Sequence, residues 1–384
     1  MRKIGLLLVC GMIQILQAQN DFKVKFRSRA LLDAAITSFQ EQQTQGYYKL
    51  EDFRVGFKAE YKNLDVKADI GLGGGKVAIK DMLCQTSWGS HTLVLGNAYE
   101  PFSLDMLIST ADLRFHQSAT SVLAFTDSRK LGMTWHYHVP SFYIASGIYT
   151  YNDINKIGEN QRNSFVSTSR FVWRRQNACE HLVHFGGAFS FRTAPVNQNN
   201  YSKELSADGV TSMFPDPLLS AIINAPGTEY KGVVEALVTG PRYLLQGEYY
   251  MNRYQINGQK SYRPHGGYVQ TVYLLLGRGF LYDADYAIPG RPASARALEL
   301  AVRFNYTNLN DRRVSILGGE EKDLSVGLNF YLNKWFGFKI SGSYVWVGKN
   351  CHESYRGNYF VPEARNNFHD KTHDSFFLPT HNFH

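Results

Sequence analysis

The chain has 384 residues, of which 44% are hydrophobic, 14% aromatic and 19% charged, and its formal net charge at pH 7 is +8. This positive excess is modest, so it does not indicate a nucleic-acid-binding surface and we expect no nucleic-acid partner. Four cysteines are too few for a disulfide framework in a chain of this length. One bridge, from Cys179 to either Cys84 or Cys351, stays open.

The first 18 residues have the form of a secretory signal peptide. Arg2 and Lys3 give a positive start, residues 4–16 are apolar, and Ala18 supplies a small residue for cleavage. The apolar run is too short for a membrane-spanning helix, and Cys10 lies inside it. We therefore expect residues 1–18 to be removed and residues 19–384 to form a single domain.

Short segments follow in which apolar and polar side chains alternate. In chain order they are 53–61, 64–70, 76–88, 91–98, 131–139, 142–151, 165–174, 183–192, 234–238, 243–253, 267–276, 298–309, 324–332 and 336–346. Alternation with period two is typical of a strand with one apolar and one polar face. Short turns are predicted at Asn63, Gly89-Ser90, Pro140-Ser141, Gly240-Pro241 and Asn333-Lys334.

Three long polar stretches interrupt this rhythm. Residues 100–130 lack alternation, and we expect them to form a loop that folds inward. Residues 193–229 and 277–296 are rich in Asn, Pro, Ser, Gly and Arg and are predicted to be extended loops. Residues 348–372 are polar as well, and a last segment, His373–His384, closes the chain.

Alternation in an exported chain predicts a transmembrane barrel. In residues 298–306, Leu298, Leu300 and Val302 share one parity while Glu299 and Arg303 share the other. No stretch after the signal approaches about 18 apolar residues, the length of a spanning helix. Short turns that alternate with long loops are typical of outer-membrane barrels. The predicted fold is therefore all-β, a transmembrane antiparallel β-barrel of about 16 strands with an aqueous lumen.

Several ordered segments also match a known family. They are Leu95–Asp105, Ser109–Leu113, Arg129–Gly132, Gly267–Gln270, Leu298–Arg303, Leu309–Asp311, Gly318-Gly319 and Gly327–Asn333. Their order and spacing resemble the phosphate-selective porins O and P, in chains of the kind found in Bacteroidetes-type bacteria. The resemblance implies a homotrimeric, 16-stranded barrel in outer-membrane lipid, with one loop inside the lumen. It also implies passage of phosphate-like anions past Arg and Lys side chains.

Parity assigns a set of cations to the water-facing side of the strands. The predicted pore-lining and anion-binding residues are Lys58, Lys62, Arg170, Arg174, Arg192, Arg303 and Lys339, with Arg114 from the loop at 100–130. Arg170 and Arg174 lie about 13 Å apart along one strand face and are candidates for successive anion-binding positions. The alternative for each residue is a structural ion pair across the lumen wall. Water-facing acids, Glu60, Glu235, Glu248 and Glu299, are fewer than the cations, so a mildly anion-favouring lumen is predicted.

The sequence therefore predicts an outer-membrane porin for passive diffusion of small anions, phosphate or pyrophosphate among them. The alternative is a non-conducting barrel that acts as an adhesin or scaffold through the loops at 193–229 and 277–296. No arrangement of nucleophile and base suggests an enzyme, and we expect neither a cofactor nor a metal site.

Overall fold

Nearly every segment of alternating polarity becomes a β-strand. The computed structural model describes residues 22–39, 42–73, 76–151, 154–156, 164–177, 180–194, 201–212, 217–256 and 260–348. Its strands are β1 (Phe22–Phe39), β2 (Gln42–Tyr61), β3 (Leu64–Gly73), β4 (Lys76–Trp88), β5 (His91–Ala98), β6 (Lys130–Val139), β7 (Phe142–Thr150), β8 (Phe165–Gln176), β9 (Leu182–Arg192), β10 (Ser202–Ala207), β11 (Leu219–Asn224), β12 (Pro226–Thr239), β13 (Tyr243–Ile256), β14 (His265–Leu276), β15 (Phe280–Asp283), β16 (Ile288–Pro292), β17 (Ala297–Asp311), β18 (Ile316–Tyr331) and β19 (Gly337–Val347). Two short helices, α1 (Leu104–Leu107) and α2 (Thr120–Phe125), lie between β5 and β6.

In the described part of the chain, fifteen strands form one antiparallel sheet. Its order is β1 to β9, then β12, β13, β14, β17, β18 and β19, so neighbours in the sheet follow one another along the chain. The strand pairs β10–β11 and β15–β16 are separate hairpins inserted between sheet strands. The predicted all-β fold is confirmed, and none of the helices within the described ranges is long and apolar enough to cross a membrane.

The predicted parity separates the two faces of the sheet. In β17, Arg303 is 3% exposed and the next residue, Phe304, is 44% exposed. In β8, Arg170 is 1% exposed and the next residue, Phe171, is 49% exposed. Because side chains of a strand alternate between faces, one side of the sheet is apolar and open, and the other is polar and covered.

The two ends of the sheet carry different connections. Tight turns lie at one end, here called the short-turn end, at residues 62–63, 89–90, 140–141, 240–242 and 332–336. Lys62 and Gly89 take positive φ angles of 52° and 56° in two of these turns. The opposite, long-loop end carries the connections 99–129 and 193–225. The connection 277–296 is long but belongs to the short-turn end, because it joins the last residue of β14 to the first of β17.

Both edges of the sheet approach one segment of the loop between β5 and β6. Arg29 of β1 donates from Nη1 to Oγ of Ser109 at 2.8 Å, and Asp33 lies 3.4 Å from Nδ1 of His116. Lys339 of β19 donates from Nζ to the carbonyl oxygen of Ala111 at 3.1 Å. The sheet therefore curls around this loop, and its polar face encloses a lumen.

Three features differ from the expectations. Strand β1 carries weak alternation and was not predicted. The polar stretches at 193–229 and 277–296 are not simple extended loops, because each contains a hairpin, β10–β11 and β15–β16, and residues 226–229 already belong to β12. The predicted signal peptide, Cys10, Cys179, Cys351 and the segment His373–His384 lie outside the described residues, whereas Cys84 is a free thiol in β4.

Candidate functional site

The lumen is crossed from the long-loop end by residues 99–129, here called the inserted loop. Helix α1 meets the far wall, where the backbone N–H groups of Leu104 and Asp105 donate to the Glu248 carboxylate at 2.7 and 2.9 Å. Near α2, the N–H of Ser121 donates to Oδ1 of Asn305 at 3.1 Å. The predicted inward-folded loop is thereby confirmed.

A second segment enters from the short-turn end. Residues 277–296, here called the short-end hairpin, start at β14 and β17 and reach the opposite wall. There the Tyr286 hydroxyl donates to Oε1 of Gln85 at 3.1 Å, and Asp285 lies 3.0 Å from Nδ1 of His138. This path was not predicted, because the Gly, Pro and Arg content of the hairpin resembles that of a surface loop.

A third segment, the hairpin of β10 and β11, folds inward from the long-loop end. Lys203 of β10 pairs with Glu229 of β12, and Ser212 donates to Oε2 of Glu51 at 2.7 Å. Ala221 of β11 lies against Gly318 of β18, where an added Cβ would come within 2.5 Å of its side chain. The lumen therefore contains parts of three connections rather than one.

Six of the eight predicted cations fall into two groups according to the acceptors that they contact. We call the first group carboxylate-paired. Arg170 binds Glu235 through Nη2 at 2.8 Å and Nε at 3.0 Å, with both side chains fully buried. Arg192 pairs with Asp127 and, at 3.2 Å, with Glu229. Lys58 lies 3.0 Å from both Glu60 and Asp65.

We call the second group carbonyl-paired. Within the described residues, hydrogen bonds from these cations go to backbone carbonyl oxygens. Arg174 donates to Pro140 and Val139 at 3.1 and 2.8 Å and also to Ala284. Arg303 donates from Nη1 to Gln117 at 2.9 Å. Lys339 donates to Ala111 at 3.1 Å and to Leu113.

One hydrogen-bond donor of Arg303 is not used by the described residues. Its guanidinium carbon lies 4.5 Å from the centre of the Phe115 ring, which fixes the plane of the group. Among the described residues its Nε has no hydrogen-bond partner, although the side chain is buried. A buried donor without an acceptor is costly, so this nitrogen is ready to bind an additional acceptor.

The remaining two predicted residues have different environments. Arg114 donates to the carbonyl oxygens of Asp112 and Gly290 at 2.6 and 2.7 Å and lies 3.5 Å from Glu299. It thus joins the inserted loop to the short-end hairpin and the wall. Lys62 lies in the turn between β2 and β3, exposed at the short-turn end, with its Nζ 5.3 Å from the Tyr61 ring.

The largest ionic cluster surrounds a residue that sequence reasoning missed. Asp127 of the inserted loop lies 2.9 Å from Nζ of both Lys130 and Lys231, and it also pairs with Arg192. Lys231 shares the parity of Glu235 in β12, so alternation could have found it. Asp127 lies in a loop, where no periodicity marks the direction of a side chain.

The positive charges in this cluster lower the pKa values of two carboxyl groups in the inserted loop. Burial favours the neutral form of Asp127, but the charges of Arg192, Lys130 and Lys231 outweigh burial and hold the pKa of its carboxyl well below the usual range. Burial likewise opposes ionisation of Glu100, yet Lys130 lowers the pKa of that carboxyl. Both acids therefore stay ionised and anchor the end of the inserted loop.

Two histidines on the polar face of the sheet serve as wall contacts. His184 lies 2.9 Å from Glu235 through Nε2 and 3.0 Å from the Tyr282 hydroxyl through Nδ1. His136 contacts the Tyr143 hydroxyl at 2.9 Å. These groups join strands to each other or to the short-end hairpin.

A curled antiparallel sheet with an apolar outside, a polar lumen and inward-folded connections is the architecture of an outer-membrane channel. The chain belongs to the phosphate-selective porin O and P family, whose model matches residues 18–359. It is accordingly an outer-membrane porin, and the predicted family, barrel fold and location are confirmed.

Solved structures with the same fold are distant in sequence. A loop L8 deletion mutant of OmpT, an outer membrane protein of Vibrio cholerae, is 13% identical with a TM-score of 0.56, over 86% of this chain and 96% of that one. The anion-selective porin from Comamonas acidovorans is 7% identical with a TM-score of 0.51, over 85% and 90% of the two chains. These similarities show the fold alone.

One curated relative is an uncharacterized protein of Caulobacter vibrioides, 24% identical over 299 residues. The match covers 71% of this chain and 59% of that protein, so this chain spans less than two thirds of the length of its relative.

Proposed function

We propose that this porin allows small anions, phosphate-like oxyanions among them, to diffuse passively through its lumen. The observation that carries the proposal is the carbonyl-paired group, Arg174, Arg303 and Lys339. A carbonyl oxygen is a neutral acceptor, so the hydrogen-bond partners of these side chains carry no negative charge that balances them. A hydrated anion that passes them exchanges water for charge-assisted hydrogen bonds.

The carboxylate-paired cations contribute less to selectivity in this proposal. The charges of Arg170 and Lys58 are balanced by nearby carboxylates, and Arg192 shares two acids with neighbouring lysines. The contacts of these cations hold strands and inserted segments together. Anion preference is therefore expected to be moderate and to depend on a few residues.

A homotrimer is part of the same proposal. One of the structurally similar proteins is the trimer form of OmpT from Vibrio cholerae, with a TM-score of 0.52. Chemical cross-linking in native membranes is expected to give a three-chain band, and bands of two chains alone would contradict this assembly.

The adhesin or scaffold alternative receives no support from the two connections on which it depended. In the connection 193–225, Lys203 contacts Glu229 and Ser212 contacts Glu51, both on the inner face of the sheet. The short-end hairpin reaches Gln85 across the lumen. Where these contacts are made, neither connection is a free surface loop.

Ion selectivity of the purified porin in planar bilayers tests the proposal. In a potassium chloride gradient, we expect a reversal potential with the sign of chloride permeation, and potassium phosphate on one side should carry measurable current. A reversal potential of the opposite sign, or a membrane that stays non-conducting in both salts, would contradict anion passage.

A further inference from the structure

The short-end hairpin has two parts with different contacts. The root consists of residues 277–282 and 288–296, and the tip consists of residues 283–287. The root begins with Gly277 and Gly279, whose φ angles of 97° and 73° are left-handed and suit glycine. Phe280 and Tyr282 of the root pack beside a buried apolar cluster that includes Leu237. Inward-facing apolar side chains of this kind need a cover, so the root is a fixed part of the lumen.

The tip, residues 283–287, is attached by polar contacts and by Ala287, which packs in a small buried apolar cluster with Tyr143 of the wall. Arg170 donates from Nη1 to the carbonyl oxygen of Tyr286 and from Nη2 to that of Ala287, each at 3.0 Å. Arg174 donates to the carbonyl oxygen of Ala284. Two buried guanidinium groups from one strand thus converge on carbonyl oxygens of a single turn.

Backbone geometry adds a cost to this attachment. Ala287 has φ of 53°, a left-handed conformation that a residue with a Cβ rarely adopts. The Asp283 carboxylate receives the N–H groups of Asp285 and Tyr286 at 3.0 and 3.2 Å, which keeps the turn folded as a unit. The tip is therefore a compact turn, and its strained residue, Ala287, lies where the tip joins the following strand β16.

We propose that Arg170 and Arg174 form an oxyanion-binding site that the carbonyl oxygens of the hairpin tip occupy in the absence of an anion. A phosphate-like anion displaces the tip from the two arginines and opens the short-turn end, while the root stays packed. This inference rests on the proposed anion passage and adds its regulation, since the permeating anion controls the opening.

Acceptor strength gives the physical reason for the exchange. A phosphate-like anion offers a guanidinium a full opposite charge and two parallel acceptor oxygens, which a neutral carbonyl oxygen does not. Arg174, whose bonds within the described residues go to carbonyl oxygens, gains most from the exchange. Arg170 keeps Glu235 through Nε and can offer Nη1 and one edge of the group to the anion. A phosphate-like anion thus competes with the tip for the same donors.

Distances between spin labels test the displacement directly. The chain is labelled at Asp285→Cys in the tip and Asn63→Cys in an exposed turn at the same end, with Cys84, Cys179 and Cys351 replaced by serine. Adding orthophosphate at constant ionic strength should lengthen the distance by several ångströms. A matched pair, Arg291→Cys in the root with Asn63→Cys, should show no change. An unchanged tip distance, or equal movement of root and tip, overturns the proposal.

A substitution of Arg174 tests whether the phosphate-dependent change in the tip distance requires the arginine site. Arg174→Gln should give the lengthened tip distance without phosphate and no further change with it. Arg291→Gln, which removes a guanidinium that donates to the Lys334 carbonyl oxygen away from the tip, should respond like the unmodified chain. A phosphate response that persists in Arg174→Gln contradicts the assigned site.

Conductance separates this inference from the proposed function. Replacing residues 278–296 by Asn-Gly should raise chloride conductance several-fold, and unchanged conductance contradicts the role of the hairpin as a plug. If this variant fails to fold, the tip can be fixed by a short bismaleimide link between His138→Cys and Asp285→Cys. The linked porin should keep a low conductance in phosphate. A conductance that rises in phosphate as in the unlinked porin overturns the proposal. A reversal potential of cation sign would remove the proposed function, whereas tip displacement is decided by the label distances.

Discussion

The two groups of lumen cations show that burial on the same face does not imply the same role. Around Asp127, the charges of Arg192, Lys130 and Lys231 meet carboxylates, and the inserted loop is thereby joined to β6, β9 and β12. Arg303 and Lys339, on β17 and β19, contact backbone carbonyl oxygens of the same loop. In the first region the cations contact carboxylates, and in the second they contact neutral carbonyl oxygens.

The largest expected effect comes from removing the shared acid. Asp127→Asn leaves three cations without their common carboxylate, and breaking a buried pair in this way costs about 3–5 kcal/mol. The free energy of unfolding, measured by urea titration of the detergent-refolded porin, should fall by about that amount. Glu180→Gln, which breaks an exposed pair with Arg278, should change it by about 1 kcal/mol or less. Equal effects of the two variants would abolish the distinction.

The difference in the free energy of unfolding between the unmodified chain and Asp127→Asn should depend on pH as the lowered pKa of Asp127 requires. A carboxyl with a lowered pKa in the folded state stabilises above its unfolded pKa of about 3.9 and loses that contribution as pH falls through the folded value. The stability gap between the unmodified chain and Asp127→Asn should be present at about pH 6, stay constant down to about pH 5 and shrink only below about pH 4. A gap that shrinks near neutral pH would contradict an ionised, carboxylate-paired cluster.

Selectivity is where the carbonyl-paired group should dominate. Arg303→Gln and Lys339→Gln each remove a cation whose hydrogen-bond acceptors are neutral, so the reversal potential in a potassium chloride gradient should move towards the cation side. Lys58→Gln removes a charge that two acids already balance and is the matched control, with a smaller shift expected. A larger shift for Lys58→Gln would reverse the assignment.

Alternation could predict which side chains face the lumen, because the direction of a side chain in a strand is a local property. Arg170, Arg174 and Arg303 all lie on the predicted face. Their partners could not be predicted, since Arg170 contacts Tyr286 and Lys339 contacts Ala111, residues far apart in sequence that only the curled fold brings together.

Inserted segments were the harder part of the prediction. The loop at 100–130 lacks alternation, and its inward path followed from length and from the family resemblance. The short-end hairpin has turn-forming composition, and only the strand count before it places it at the short-turn end. Two glycines and two prolines, Gly277, Gly279, Pro289 and Pro292, describe its bends but not the side of the sheet to which it folds.

The smallest expected effect separates charge from shape at Arg303. Arg303→Lys keeps the positive charge but loses the planar group that lies 4.5 Å from the Phe115 ring centre. The free energy of unfolding should fall by about 1 kcal/mol or less, the size of an ordinary cation–π contact, while the reversal potential stays near that of the unmodified porin. If the lysine variant lost selectivity as Arg303→Gln is expected to do, the geometry of the guanidinium rather than its uncompensated charge would control the passing anion.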